Sequence, residues 1–307
     1  MYGLGANTYD EEAVKNIFRA KGRPADNPLI VHISDFDMLG GIVREVSDSA
    51  RILMDAFMPG PITVILPKCE KISKYVTAGL DTVAVRFPSH PTANALIKMS
   101  GVPIAAPSAN LSGKPSPTIA RHVIDDMTGR IDAIIDGGEC DAGVESTVVD
   151  CTGRVPVILR PGIITQDDIS QYIPEVQTDK HVLKSVDANE TPKCPGMKYK
   201  HYAPNAEVTV VEGEAENVFK KINALIKENK DKKIGVLSCS GRKYENAFTL
   251  NTENGNRGYA HSLFTYLREF DENKCDMVFA EFCIFDKYSV SVKNRLYKSA
   301  GGKIILV

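Results

Sequence analysis

From residue 207 to residue 307 the chain repeats one pattern: a short run of apolar β-formers, then a stretch of helix length. The apolar runs are 208–211, 234–239, 277–283 and 303–307, and the stretches between them include 215–228, 259–270 and 290–300. In 215–228, Val218, Ile222, Leu225 and Ile226 share one face at helical spacing. Strands that alternate with helices need crossover connections. They pack as a mostly parallel sheet with helices on its faces. The pattern predicts a small, Rossmann-like, doubly wound α/β domain over 206–307. It has no G-x-G-x-x-G and no visible catalytic set. Its Ser238-Cys239-Ser240-Gly241 turn could cradle an anion or simply end a strand.

Residues 1–162 lack that rhythm and predict an α/β domain with a twisted, mixed sheet. Thr8 and Glu11 have capping-box spacing, and Ala13, Val14, Ile17 and Phe18 form the apolar face of a helix that stops near Lys21-Gly22. Strands are expected at 28–33, 61–66, 83–87, 102–106, 133–136, 146–151 and 155–159. Helices are expected at 38–46, 48–56, 91–99 and 119–127. Residues 163–205 read as a linker, with a short helix at 166–172 and a polar stretch at 178–193. It ends in Pro195-Gly196-Met197-Lys198-Tyr199-Lys200-His201-Tyr202-Ala203-Pro204, whose Lys, Tyr and His content is dense for an inert spacer.

Composition narrows the function classes. With 43% hydrophobic residues and a net charge of -2, a packed core is expected and coating of nucleic acid through bulk charge is not. No apolar run approaches the ~20 residues of a membrane span, and no signal peptide is visible, so a cytoplasmic enzyme is expected. The seven cysteines never form C-x-x-C, so reduced thiols are expected and no metal site.

Five features could carry chemistry. Lys21-Gly22-Arg23 offers two cations on a short connection, which suits an anion or a solvated helix end. Ala106-Pro107-Ser108-Ala109-Asn110-Leu111-Ser112-Gly113 brings small hydroxyl and amide groups to a strand end, as a phosphate or ribose loop or as an ordinary turn. Arg86 and Arg160 each lie in an apolar strand, where a cation needs a partner or an anionic ligand. Glu145-Ser146-Thr147 adds hydroxyls, and His32 is either a core residue or part of the site. There is no P-loop and no G-x-S-x-G elbow. Cations, hydroxyls and glycines fit phosphoryl or nucleotidyl chemistry, in which positioning and charge neutralisation dominate.

Together these segments resemble the threonylcarbamoyl-AMP synthase family, built on the YrdC-like domain. The resemblance rests on Tyr2-Gly3-Leu4-Gly5-Ala6-Asn7, Lys21-Gly22-Arg23-Pro24 with Asn27-Pro28-Leu29, Val85-Arg86-Phe87-Pro88, the 106–113 loop, Ser146-Thr147-Val148 and Leu159-Arg160-Pro161-Gly162. Residues 195–204 are similar to the linker motif of the family's long form, which ends in a Rossmann-like domain. The resemblance implies a YrdC-like catalytic domain over 1–162, a linker or lid over 163–205 and a C-terminal domain over 206–307.

It further implies a nucleotidyltransferase that joins L-threonine, bicarbonate and ATP, with Mg²⁺, into L-threonylcarbamoyladenylate and pyrophosphate. A partner complex then transfers the group to position 37 of tRNA. By resemblance, Lys21 and Arg23 are catalytic through phosphate neutralisation. Arg23, Asn27, Thr82, Ser108, Asn110, Ser116 and Arg160 contact ATP, with Tyr202 as a lid. His32, Arg86, Ala106 and Ser146 line the threonine and bicarbonate side.

One departure stands out. Family members normally carry a strand and a Pro-Thr-x-Thr-Val segment before Tyr-Gly-Leu-Gly, and here Met1 takes the Val position. The expectation is an N-terminally truncated or impaired copy, or a misassigned start, with weak or absent activity for the chain as written. The alternatives are an RNA-binding or ATP-binding homologue without full catalysis, with weak RNA binding left open. Carbamoyl transfer of the hydrogenase-maturation kind is a third, and the modules that usually accompany it are not seen.

Overall fold

The computed structural model describes residues 1–183, 192, 194 and 201–307. Most of the expected linker motif, 195–200, lies outside them. In chain order the first half contains β1 (Ala6–Asn7), α1 (Glu11–Lys21), β2 (Ile30–His32), a 3-10 helix (Phe36–Gly41), α2 (Asp48–Phe57), β3 (Ile62–Pro67), α3 (Lys74–Thr77) and β4 (Thr82–Arg86). It continues with α4 (Pro91–Ser100), β5 (Ile104–Ala106), α5 (Ala120–Met127), β6 (Thr147–Asp150), β7 (Val157–Arg160), α6 (Gln166–Ser170) and β8 (Gln177–Thr178). The second half contains β9 (Glu207–Glu212), α7 (Ala215–Glu228), β10 (Ile234–Ser238), β11 (Phe248–Asn251), α8 (Gly255–Glu272), β12 (Met277–Phe282), α9 (Ser289–Ser299) and β13 (Ile304–Leu306).

These elements form two compact units. The first comprises Met1–Ser112, Ile119–Glu139 and the chain from Glu145 into the described part of the linker. Its sheet has the order β1-β5-β2-β4-β3-β6-β7-β8. It is mixed, as expected: β2 runs parallel to β4 and antiparallel to β5, and β3 runs antiparallel to β4 and parallel to β6. The core joins Val14, Ile17 and Phe18 of α1 to Val31, Val64, Val85 and Val149 of the sheet. Each such side chain contributes about 1.5–3 kcal/mol when fully buried.

The second unit comprises Gly113–Thr118, Cys140–Val144 and the chain from His201 onward. Its five strands are all parallel, in the order β11-β10-β12-β9-β13. Val218, Ile222 and Ile226 of α7 pack on Val211, Val236 and Phe279. Two segments from early in the sequence are stitched into it. The carbonyl of Gly113 accepts from the amide of Ala203 at 2.9 Å. The carbonyl of Pro115 accepts from Arg268 Nη2 at 2.7 Å and Nε at 3.2 Å. Among the described residues no helix is long and apolar enough to cross a membrane.

Several local expectations need correcting. Helix α1 is capped by Asp10, whose side chain accepts from the amide of Ala13. Thr8 lies two residues earlier, fully buried, so the Thr8–Glu11 capping box does not form. The expected helix at 38–46 is a 3-10 helix ending at the Gly40-Gly41 pair, where paired glycines disfavour further helix. The expected strand at 133–136 is absent. Asp136 there accepts instead from the Tyr2 hydroxyl at 2.9 Å. Strand β11 went unread because its side chains are only partly buried and its pattern is short.

Candidate functional site

Helix α1 ends on Gly22, whose φ of +61° is the left-handed conformation that glycine adopts without steric cost. Lys21, the last helical residue, lies at helical spacing on the same buried face as Val14, Ile17 and Phe18 and is 3% exposed. Its Nζ donates to the carbonyls of Ser108 and Asn110, both at 2.5 Å. The amide of Ser112 in turn donates to the Lys21 carbonyl at 2.9 Å. One buried amine thus pins the whole turn that follows β5. Burial, and then the neighbouring Arg23 cation, lower the Lys21 pKa to about 7, with Asp126 acting the other way.

The turn is braced from within and from the N-terminal segment. The Ser108 hydroxyl donates to Asn110 Oδ1 at 2.5 Å, and Asn110 Nδ2 donates to the Leu111 carbonyl at 2.8 Å. The amide of Leu4 donates to the Pro107 carbonyl, and the amide of Ala109 to the Tyr2 carbonyl. Arg23 Nη2 donates to the carbonyls of Asn27 (3.2 Å) and Pro28 (3.4 Å). Asn27 is 1% exposed, and its Oδ1 accepts no hydrogen bond. A buried acceptor of that kind is unfavourable until a donor reaches it.

A second group gathers on the central strands. His32 and Arg86 are the last residues of β2 and β4 and stand in register on these parallel neighbours. Arg86 Nε donates to the carbonyl of Gly60 at 3.1 Å. His32 Nδ1 lies 3.1 Å from the Ile30 carbonyl. Burial, and then the adjacent Arg86, push the His32 pKa down to about 3, so the imidazole is neutral at physiological pH. Ala106 ends β5 and pairs with Ile30. Thr82 opens β4, at the other end of the strand from Arg86.

A third group lies where β6 and β7 meet. Arg160, 5% exposed, donates from Nε to the Ser146 carbonyl and from Nη2 to the Ser146 hydroxyl, each at 3.1 Å. That hydroxyl also lies 2.7 Å from Thr63 Oγ1 on β3. Gly162 makes the approach possible. A Cβ there would meet the amide of Thr147 at 2.4 Å and the carbonyl of Glu145 at 2.8 Å.

Ser116 and Tyr202 belong to the second unit. Ser116 is 1% exposed. The Tyr202 ring packs 4.9 Å from that of Phe264 on α8. Sequence reading missed two residues that touch the first unit's candidate site. Asp126 of α5 is buried and accepts from the amide of Leu111 at 3.3 Å. Its signal was a carboxylate beside the apolar face of a helix. Thr63 showed itself only as a hydroxyl inside the apolar run Ile62-Thr63-Val64-Ile65-Leu66.

Residues 1–162 match the Sua5–YciO–YrdC family, described as telomere recombination. Residues 164–301 match the threonylcarbamoyl-AMP synthase C-terminal domain. The chain belongs to the threonylcarbamoyl-AMP synthase family. The threonylcarbamoyl-AMP synthase of Pyrococcus abyssi is 49% identical over 100% of this chain and 90% of its own length. That of Bacillus subtilis is 47% identical over 99% of this chain and 88% of its own. The crystal structure of P. abyssi Sua5 complexed with L-threonine has a TM-score of 0.95 at 49% identity, covering 99% of this chain and 89% of that one. The family is thus the long, two-domain form that the sequence resemblance implied, and its members are nucleotidyl-transferring enzymes that use ATP.

Proposed function

We infer that the chain condenses L-threonine, bicarbonate and ATP into L-threonylcarbamoyladenylate and pyrophosphate, supplying the activated group for position 37 of tRNA. The observation that carries this reading is the register of His32 with Arg86. Two adjacent parallel strands end on a guanidinium and a neutral imidazole, at the strand ends where α/β sheets bind ligands. A planar guanidinium suits the threonine carboxylate. A neutral imidazole there does not repel a cationic amine.

The threonine amine and CO2 give a carbamate, whose oxygen attacks the α-phosphorus while pyrophosphate leaves. The leaving group gains negative charge, which Lys21 and Arg23 are placed to neutralise. Asn27, Thr82, Ser108, Asn110, Ser116 and Arg160 serve ATP in this reading, Ala106 and Ser146 the threonine and bicarbonate side, and Tyr202 acts as a lid. In this reading Mg²⁺ accompanies ATP as part of the substrate and would supply charge neutralisation for the leaving pyrophosphate. The product passes to a threonylcarbamoyl transferase complex in the cytoplasm.

Isothermal titration of the full chain with ATP and with L-threonine tests the reading, alongside threonine- and bicarbonate-dependent ATP–pyrophosphate exchange. Arg86→Ala should weaken threonine binding at least about tenfold, and Lys21→Ala should weaken ATP binding. Absence of threonine binding and of exchange in the unaltered chain would sink it and leave the impaired homologue expected from the sequence, whereas normal turnover would overturn that expectation. Salt-sensitive tRNA binding indifferent to ATP would favour an RNA-binding role instead.

A further inference from the structure

Cys239 and Cys283 each follow a strand by one residue. Cys239 comes directly after β10 and Cys283 directly after β12, and these strands are parallel neighbours, with Leu237 opposite Ala280. Both thiols therefore stand at the C-terminal edge of the second unit's sheet. Their sulfurs lie 3.4 Å apart, within contact distance. Cys239 is buried and Cys283 partly exposed.

Between the two strand ends sits Glu281, 0% exposed. Its Oε2 accepts from the Ser238 hydroxyl (2.9 Å), the Cys239 amide (2.8 Å) and the Ser240 amide (2.9 Å). Its Oε1 accepts from the Ser240 hydroxyl (3.0 Å) and from the Tyr244 hydroxyl. The Ser238-Cys239-Ser240-Gly241 turn does cradle an anion, and the anion is the chain's own carboxylate. With five donors on two oxygens, Glu281 has no lone pair ready for a metal ion, although it and the two sulfurs form a compact trio. Among the described residues no further His, Cys, Asp or Glu joins the two thiols and Glu281.

We propose that Cys239 and Cys283 form a reversible dithiol–disulfide pair, a covalent modification site in the C-terminal domain that uses none of the residues assigned to the synthase reaction. A disulfide needs sulfurs about 2.0 Å apart, so closure from 3.4 Å asks them to move by only about 1.4 Å. The roles divide by exposure and hydrogen bonding. The hydrogen bond shared by the two sulfurs holds Cys283 below the ordinary thiol range and, together with burial, Cys239 above it, while the Cys239 thiol also faces the Glu281 carbonyl at 3.8 Å. Cys283 is the attacking thiolate and Cys239 the resolving thiol.

The oxidant is a low-molecular-weight disulfide. Cys283 attacks one of its sulfurs, forms a mixed disulfide and expels the first small thiol. Cys239 loses its proton, attacks the Cys283 sulfur and expels the second. Two protein thiols lose two electrons and two protons, and one small disulfide becomes two small thiols.

The test uses the full chain in reduced and oxidised glutathione mixtures of stepped ratio, quenched by alkylation and read by mass spectrometry. The expected result is a loss of two hydrogens, mapped to a Cys239–Cys283 cross-link and reversed by reductant. Cys239→Ser should trap a glutathione adduct at Cys283, and Cys283→Ser should leave Cys239 unmodified. The unaltered chain alone decides if either variant fails to fold. Both thiols still alkylatable in excess oxidised glutathione, with the fold intact by circular dichroism, would overturn the proposal. So would an adduct at Cys283 that never resolves. Stoichiometric Zn²⁺ binding that shields both thiols would overturn it in favour of a metal site.

Discussion

The guanidinium of Arg160 grips Ser146 twice, Nε on its carbonyl and Nη2 on its hydroxyl, each at 3.1 Å. This fork joins the end of β7 to the residue before β6 and leaves the serine hydroxyl shared with Thr63. A lysine keeps the charge but cannot make two bonds in one plane. Arg160→Lys should therefore lower stability by about 1–3 kcal/mol, the cost of an unsatisfied buried acceptor. Urea unfolding followed by circular dichroism reads this. Synthase activity should fall with it at temperatures where the variant remains folded, because Ser146 loses its position.

Burial sets a pH dependence through Lys21. Its folded pKa, about 7, lies below the unfolded value of about 10.5. Between those values the unfolded chain binds more protons, so this residue makes stability rise with pH from about 7 to about 10.5. Its cost is complete below about pH 7. ATP binding should run in the opposite direction. Phosphate at Lys21 favours the charged amine, so binding takes up a proton and affinity falls as pH rises through 7. Titration calorimetry in buffers of different ionisation enthalpy should show net uptake at pH 7.5, and Lys21→Met should abolish it. Equal uptake in that variant would assign the proton elsewhere.

Gly162 is required by contact and not by its torsion angle. A methyl group there would fall 2.4 Å from the Thr147 amide. Gly162→Ala should push β7 away from the Glu145–Thr147 segment and cost about 1–3 kcal/mol, the usual range for overpacking. Thermal unfolding would measure the loss, and a midpoint unchanged within error would show that the segment gives way freely.

The carboxylate of Glu281 organises the β10–β12 end of the second unit through five donors. Glu281→Gln keeps the shape but presents an amide N–H₂ toward hydroxyl or backbone N–H groups. A loss of about 1–3 kcal/mol is expected for the donors left unpaired. Hydrogen exchange should show the opening of β10 and β12, with β2, β4 and β5 of the first unit unaffected.

The sequence by itself determined the class of each half and its main elements. Alternating apolar runs and amphipathic stretches produced the parallel sheet of 206–307, because crossover connections allow few other packings. The resemblance motifs marked Lys21, Arg86, Ser108, Ser146 and Arg160 in advance, since cations in apolar strands and small residues at strand ends are visible in one dimension. Neighbours distant along the chain were not visible. Lys21 meets Ser108 and Asn110 across 87 and 89 residues. Asp126 and Thr63 meet Leu111 and Ser146 of the candidate site only through the packing of α5 and β3. Ser116 groups with the second unit through the grip of Arg268 on Pro115. Glu281 read as one more acidic residue in a strand until the fold surrounded it with five donors. Local propensity acts within a few residues. Burial, register and hydrogen-bond partners arise only when the whole chain has packed, so tertiary structure alone decided which charges are buried, which strand ends they share and which groups they bind.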